Sequence, residues 1–129
     1  MSSVEYILEL ENVTKEFSGK QGRVKALDNI NLKIKRGEFV IILGPSGAGK
    51  STLLNIMAGM DRPTKGGVIY SKRDYSDLDE EELAKIRREK FGFIFQAFNL
   101  IDSLTVFENV TMPALPTDLP LKEIYARAD

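Results

Sequence analysis

Residues 44 to 52 read GPSGAGKST, a glycine-rich run closing on a lysine and two hydroxyls. The pattern Gly44-x4-Gly49-Lys50-Ser51 suits a chain folded around phosphate. Gly44, Gly47 and Gly49 allow backbone angles and close approach that a Cβ would block, so successive N–H groups can turn inward on phosphate oxygens, with Pro45, Ser46 and Ala48 completing the loop. A helix opening near Lys50 adds the positive end of its dipole. In this arrangement Lys50 neutralises β and γ phosphates, Ser51 takes one position on Mg²⁺, and Thr52 adds a phosphate contact. A dinucleotide fingerprint does not compete, because it has no place for the lysine and serine.

The flanking elements are those such a loop needs. Phe39-Val40-Ile41-Ile42-Leu43 is uninterruptedly apolar and reads as a strand covered on both faces in a parallel sheet, running straight into the loop. Lys50 to Met57 is rich in helix formers, with Gly59 and Pro63 as stops. Upstream, Val4, Tyr6, Leu8 and Leu10 alternate with Glu5, Ile7 and Glu9, a half-buried strand, and Asn31 to Lys35 repeats the pattern with Leu32 and Ile34 inward. Downstream, SDLDEEELAKIRREK places acids first and bases last, as a helix dipole favours, with Glu81 and Lys85 one turn apart; its charges read as a solvated face. Phe91-Gly92-Phe93-Ile94-Phe95 reads as another buried strand, ending at Gln96. Thr105 and Glu108 have capping-box spacing for a short helix through Val110, and a last amphipathic turn carries Leu121, Ile124 and Tyr125.

With 129 residues and 43% hydrophobic content, the chain can bury a core of one-domain size. Its 18 basic and 19 acidic residues leave a net charge of -1, without the basic field of a dedicated nucleic-acid binder, so no nucleic acid is expected as a partner. There is neither cysteine nor histidine, which removes disulfides, zinc fingers, thiol nucleophiles and imidazole bases together. The start does not read as a signal peptide, and the longest apolar run falls far short of the roughly 20 residues that span a membrane.

Taken together, Gly44 to Thr52, the run ELAKIRREKFGFIFQAFNL and the following LTVFENV resemble the nucleotide-binding domain of an ATP-binding-cassette (ABC) transporter. Within that family the resemblance is to the branch of lipoprotein-release (LolD-like) and macrolide-exporter (MacB-like) ATPases, and it covers Leu8 to about Met112. It implies an α/β fold of the P-loop ABC-ATPase type, with N-terminal antiparallel strands and a parallel core sheet carrying the P-loop helix. Residues 1–96 would be the ATP-binding core and 97–129 the start of the helical subdomain. It also implies Mg-ATP as ligand, Phe17 of VTKEFSG as the aromatic that stacks on adenine, and Gln96 as the coupling glutamine that touches Mg²⁺ or its water. A transmembrane permease subunit and a second ATP-binding subunit would be the partners, at the cytoplasmic face of the membrane.

The resemblance also marks departures. Lys65-Gly66-Gly67 and Ser71-Lys72-Arg73 replace the family's usual turn residues in a hairpin expected to leave the phosphate site untouched. The family's signature loop, Asp-Glu strand and switch histidine do not occur in residues 1–129, and Asp102 is a poor substitute metal ligand because only Leu100 and Ile101 precede it as apolar residues. The expectation is therefore nucleotide binding without turnover by these residues alone, and an exposed apolar edge at Phe39 to Leu43 that invites another chain. A nucleotide-binding module without turnover, a repair ATPase and a small-molecule kinase are the alternative readings; long heptads and an arginine-rich lid, which the last two need, are not evident.

Overall fold

The structure, a computed structural model, describes residues 5–19 and 22–128. The chain divides into two compact units, Met1–Phe91 and Gly92–Asp129. In the first, β1 (Tyr6–Gly19), β2 (Gly22–Lys35), β3 (Lys65–Tyr70) and β4 (Arg73–Asp74) form a sheet of order β2-β1-β3-β4. All three neighbouring pairs are antiparallel. Val4, expected to open the first strand, lies outside the described residues. The strand itself continues well past Leu10 to Gly19, and the expected Asn31–Lys35 strand is the last third of β2.

Bulges are what let β1 and β2 run so long. Leu10 pairs with Leu32 and Val13 with Ile30, which leaves β1 one residue in excess; Asn12 absorbs it at φ 51°. Asn31 closes that bulge, its Oδ1 accepting from the Asn12 N–H at 3.0 Å and its amide donating to Asn12 Oδ1 at 3.3 Å. On the other strand Asn29, also at φ 51°, donates its N–H to Thr14 Oγ1 at 3.0 Å. Asparagine tolerates the left-handed region better than other side chains, which explains its use at both bends. A further irregularity sets Lys15 against Leu27 and Glu16 against Lys25, so Ala26 has no residue opposite.

The core lies on one face of this sheet, where Leu8, Leu10, Val13 and Val68 meet Leu53 and Ile56 of α1 (Lys50–Met57) and Leu83 and Ile86 of α2 (Glu80–Lys90). Full burial of each such side chain is worth about 1.5–3 kcal/mol. Helix α2 opens with a capping box between Asp79 and Glu82. Its charges are mostly solvated as expected, and Lys85 pairs with Glu89 where the spacing suggested Glu81. Arg87 is the exception. Its guanidinium donates to Gly59 O at 2.6 Å and to Glu80 at 2.7 Å, fixing α2 to the turn that ends α1. Tyr75 OH donates to Met57 O at 3.0 Å beside it, and burial pushes the phenol's pKa up, keeping it a neutral donor.

Two expected strands do not form. Residues 39–43 belong to no strand, and Phe39 and Leu43 are each 87% exposed. Residues 91–95 likewise are not a strand, although Phe91 packs on Tyr70 with ring centroids 5.2 Å apart. An apolar run signals burial without saying what would bury it; a parallel core strand needs ladder neighbours on its edges, and the sheet of the described residues is completed by β1 to β4 alone.

In the second unit, α3 (Val106–Thr111) has the expected capping box. Thr105 donates both its N–H and its hydroxyl to Glu108 at 2.8 Å, which holds that carboxyl below its ordinary pKa. Asn109 braces the preceding loop, accepting from the Ile101 N–H at 2.8 Å and donating to Leu104 O at 3.1 Å. Helix α4 (Leu121–Ala128) buries Ile124 and sets Tyr125 against Phe107 at 5.3 Å, while Leu121 remains exposed.

Gly66 tests how strictly the bulges fix the sheet. It holds φ 85° against the Asn12 bulge, and a Cβ there would come within 2.4 Å of both Glu11 O and Asn12 O. Gly66→Ala is expected to destabilise the protein by about 2–4 kcal/mol, combining backbone strain with steric overlap. The check is the urea midpoint, and an unchanged midpoint would refute the close approach.

Candidate nucleotide-binding site

The glycine loop lies in the first unit and leads into α1, which spans Lys50–Met57 as its composition indicates. Gly44, Pro45, Ser46, Gly47 and Ala48 are solvent-exposed, Gly49 and Lys50 half-buried, Ser51 exposed and Thr52 half-buried. A loop meant to receive a ligand must leave its backbone open in this way. The N-cap of α1 is Gly49, at φ 90° with no side chain capping the first turn. The helix's leading N–H groups are thus left to an external acceptor, and an anion is the acceptor a helix N-terminus favours.

The position of that N-terminus is set by the β1–β2 hairpin. A Cβ on Gly49 would fall 2.4 Å from Ala26 O and 3.2 Å from Leu27 Cδ2. Ala26 is the bulged residue of β2, so the irregularity that breaks the ladder is also what presents a carbonyl to the loop. The far end of α1 is tied to the same hairpin. Thr64 donates its N–H to Thr14 O at 2.8 Å and accepts from the Glu16 N–H at 3.0 Å, while Lys15 Nζ donates to Asp61 Oδ1 at 2.6 Å and Arg62 O at 2.8 Å.

Lys50 is folded back on the loop, its ammonium donating to Gly44 O at 2.7 Å and Pro45 O at 2.6 Å. Those carbonyls hold the charge within the loop and satisfy two of its three donors. Phe17 sits on β1 opposite Val24 and is 45% exposed, so it is not a core residue. The ammonium of Lys15 lies 5.1 Å from its ring centroid. Gln96 is exposed, on a bend of the second unit. The structure therefore brings the whole of 44–52 together and ties Phe17's strand to it, and it describes Gln96 with the other unit. Sequence reasoning missed Ala26, Lys15 and Thr64. The lysine sits two residues before Phe17, the only signal that would have raised it.

A glycine loop seated on a bulged hairpin and leading into an uncapped helix N-terminus is an arrangement suited to an anion. The chain belongs to the ABC transporter family, whose model matches residues 27–129. It is 52% identical over 109 residues to the uncharacterized ABC transporter ATP-binding protein MJ0796 of Methanocaldococcus jannaschii, covering 84% of this chain and 46% of that protein. It is 46% identical over 123 residues to the macrolide export ATP-binding/permease protein MacB of Marinobacter nauticus, covering 95% of this chain and 19% of that protein. The dimeric post-hydrolysis state of the ATP-binding cassette MJ0796, bound to ADP and Pi, matches with a TM-score of 0.85 at 48% identity, over 94% of this chain and 53% of that one. The fold is thus a partial ABC-ATPase fold of the expected branch, and the chain spans about half the length of the cassette relatives and less of the fused one. No helix among the described residues is long and apolar enough to cross a membrane.

The Gly49–Ala26 contact can be separated from ligand binding. In the nucleotide-free protein, Gly49→Ala should lower the thermal midpoint distinctly more than Gly47→Ala, since Gly47 shares a positive φ of 79° but a Cβ added there would meet nothing within 4 Å. The added overlap at residue 49 is of order 1–3 kcal/mol. Equal shifts would mean that the hairpin does not seat the loop.

Proposed function

We propose that this chain is the nucleotide-binding part of an ABC ATPase subunit, taking Mg-ATP on residues 44–52 and, as part of the complete subunit, hydrolysing it to drive export or lipoprotein release. The observation that carries the reading is the α1 N-terminus, with Gly49 as its N-cap, no side chain capping its first turn and a lysine held beside it. The triphosphate replaces Gly44 O and Pro45 O as the partner of Lys50, and backbone N–H groups from Gly47 to Thr52 take the phosphate oxygens. Phe17 stacks on the adenine, an interaction worth about 1–3 kcal/mol by analogy with base stacking elsewhere.

The Ser51 hydroxyl, exposed on the first turn of α1, is an oxygen donor of the kind Mg²⁺ takes beside phosphates. Bound there, the ion would neutralise charge developing on the phosphates. A permease and a second ATP-binding subunit complete the assembly, at the cytoplasmic side of the membrane. The name of MacB, which joins ATP-binding and permease in one protein, and the dimeric cassette bound to ADP and Pi support this reading.

Holding the γ-phosphate is one part of phosphoryl transfer; orienting the attacking water and stabilising the transition-state charge are others. Residues 1–129 carry groups for the first, so they should bind Mg-ATP and Mg-ADP without sustained hydrolysis. Lys50→Ala should weaken that binding roughly 10- to 100-fold, the loss of a charged hydrogen bond of about 1.5–3 kcal/mol. Isothermal titration tests the first statement and a multiple-turnover phosphate-release assay the second. Equal titrations for the two proteins, or turnover that Lys50→Ala abolishes, would each overturn part of the reading.

A further inference from the structure

We infer that Lys15 is a positioning residue for the nucleotide base: its ammonium is fixed against one face of Phe17 and leaves the other face for a purine. The inference rests on the proposed role of Phe17 in binding the base, and deepens it.

Lys15 and Phe17 are two residues apart on β1, with the irregular pairing at Lys15 and Glu16 between them. The ammonium lies 5.1 Å from the ring centroid, inside the range at which a cation is attracted to an aromatic face. A lysine on a strand surface would ordinarily swing through solvent. Here the side chain is only 13% exposed, and its head is fixed by Asp61 Oδ1 at 2.6 Å and Arg62 O at 2.8 Å.

Both acceptors follow α1, the helix whose other end carries Lys50 and Ser51. Lys15 therefore connects the aromatic ring to the phosphate-loop helix through its far end. Thr64 reinforces the link by accepting from the N–H of Glu16, the residue between Lys15 and Phe17.

Two consequences for the base follow. With one face taken by a fixed cation, an incoming ring stacks on the other, so the stacking geometry is set before the ligand arrives and less is lost in ordering it. The cation also draws π density toward itself, which leaves the far face better matched to an electron-rich purine. Asp61 offsets part of this field at longer range, but its main effect is to hold the ammonium in place.

The test compares Mg-ATP with Mg-tripolyphosphate, which has the phosphates and no base, for the wild type, Lys15→Met, Lys15→Arg, Phe17→Ala and the Lys15→Met/Phe17→Ala double variant. The readout is the ratio of the two affinities, which an unfolded fraction leaves unchanged because it lowers both signals alike. Lys15→Met should lower the ratio about three- to tenfold, Lys15→Arg should keep most of it, and Lys15→Met should add little once Phe17 is gone. If Phe17→Ala lowers the ratio and Lys15→Met does not, the inference is wrong and the stacking role of Phe17 stands. Equal losses for both ligands in Lys15→Met would instead make Lys15 a phosphate or scaffold residue, which also overturns it. If Phe17→Ala itself leaves the ratio unchanged, the stacking role fails and the inference fails with it.

Discussion

The site depends on a contact without side chains: the backbone of Gly49 lying against the carbonyl of Ala26. The β2 ladder slips by one residue at Ala26, and the carbonyl it releases from regular pairing meets the one N-cap residue that has no Cβ to refuse it. Two local irregularities thereby specify one another. Without the bulge Gly49 would lose its backbone neighbour on the hairpin, and with a Cβ at residue 49 the bulge could not seat the helix N-terminus as it does. The other end of α1 is held by Thr64, Lys15 and Arg87, so the helix is fixed at both ends. A dipole aimed at a phosphate is useful only if its axis is fixed, and two ties define an axis where one would leave a pivot.

Lys50 folds back on the loop that precedes it. Its charge lies against Gly44 O and Pro45 O. On the proposed reading, a triphosphate would have to displace those hydrogen bonds before gaining its own, so the affinity contributed by Lys50 would be a difference between two sets of charge-assisted bonds. The arrangement also keeps the ammonium near the loop, which limits the side-chain ordering left for binding. Phe17 is prepared in a similar way. Lys15 fixes one face of its ring, and the ring's exposure leaves it accessible.

Much of this was legible from sequence because the signals were local. Helix α1 was readable from its formers and the glycine beyond it, and α3 from the Thr105–Glu108 spacing, since a cap is a relation between residues three apart. The glycine loop was readable because few uses of chain demand that spacing. The bulged hairpin was not: Asn12 and Asn29 look like turn residues, and nothing local says that their turns bend strands instead of ending them. Lys65-Gly66-Gly67 read as part of a surface hairpin that leaves the phosphate site untouched, whereas Gly66 fits under the Asn12 bulge. Residues 39–43 and 91–95 show the opposite failure. Their apolarity was read as a buried strand in each case, and among the described residues no strand forms there and most of these side chains are exposed.

On the proposed reading, the groups that would hold phosphate and base act before any bond changes. Loop amides, Lys50 and the Phe17 face would grip a triphosphate in much the same way in its ground state and on the way to cleavage, and binding that is uniform between the two lowers the concentration needed without raising the rate. Acceleration requires groups that meet charge or a water molecule only in the transition state. On the proposed reading, such a cassette would separate capture from cleavage: one unit would capture nucleotide through contacts already in place, and the rate-determining contacts would be conditional on other parts of an assembly. For a transport motor that separation has a mechanical use, since hydrolysis that waits for a partner's contacts can be coupled to the partner's movement, whereas hydrolysis complete within the capture site could not.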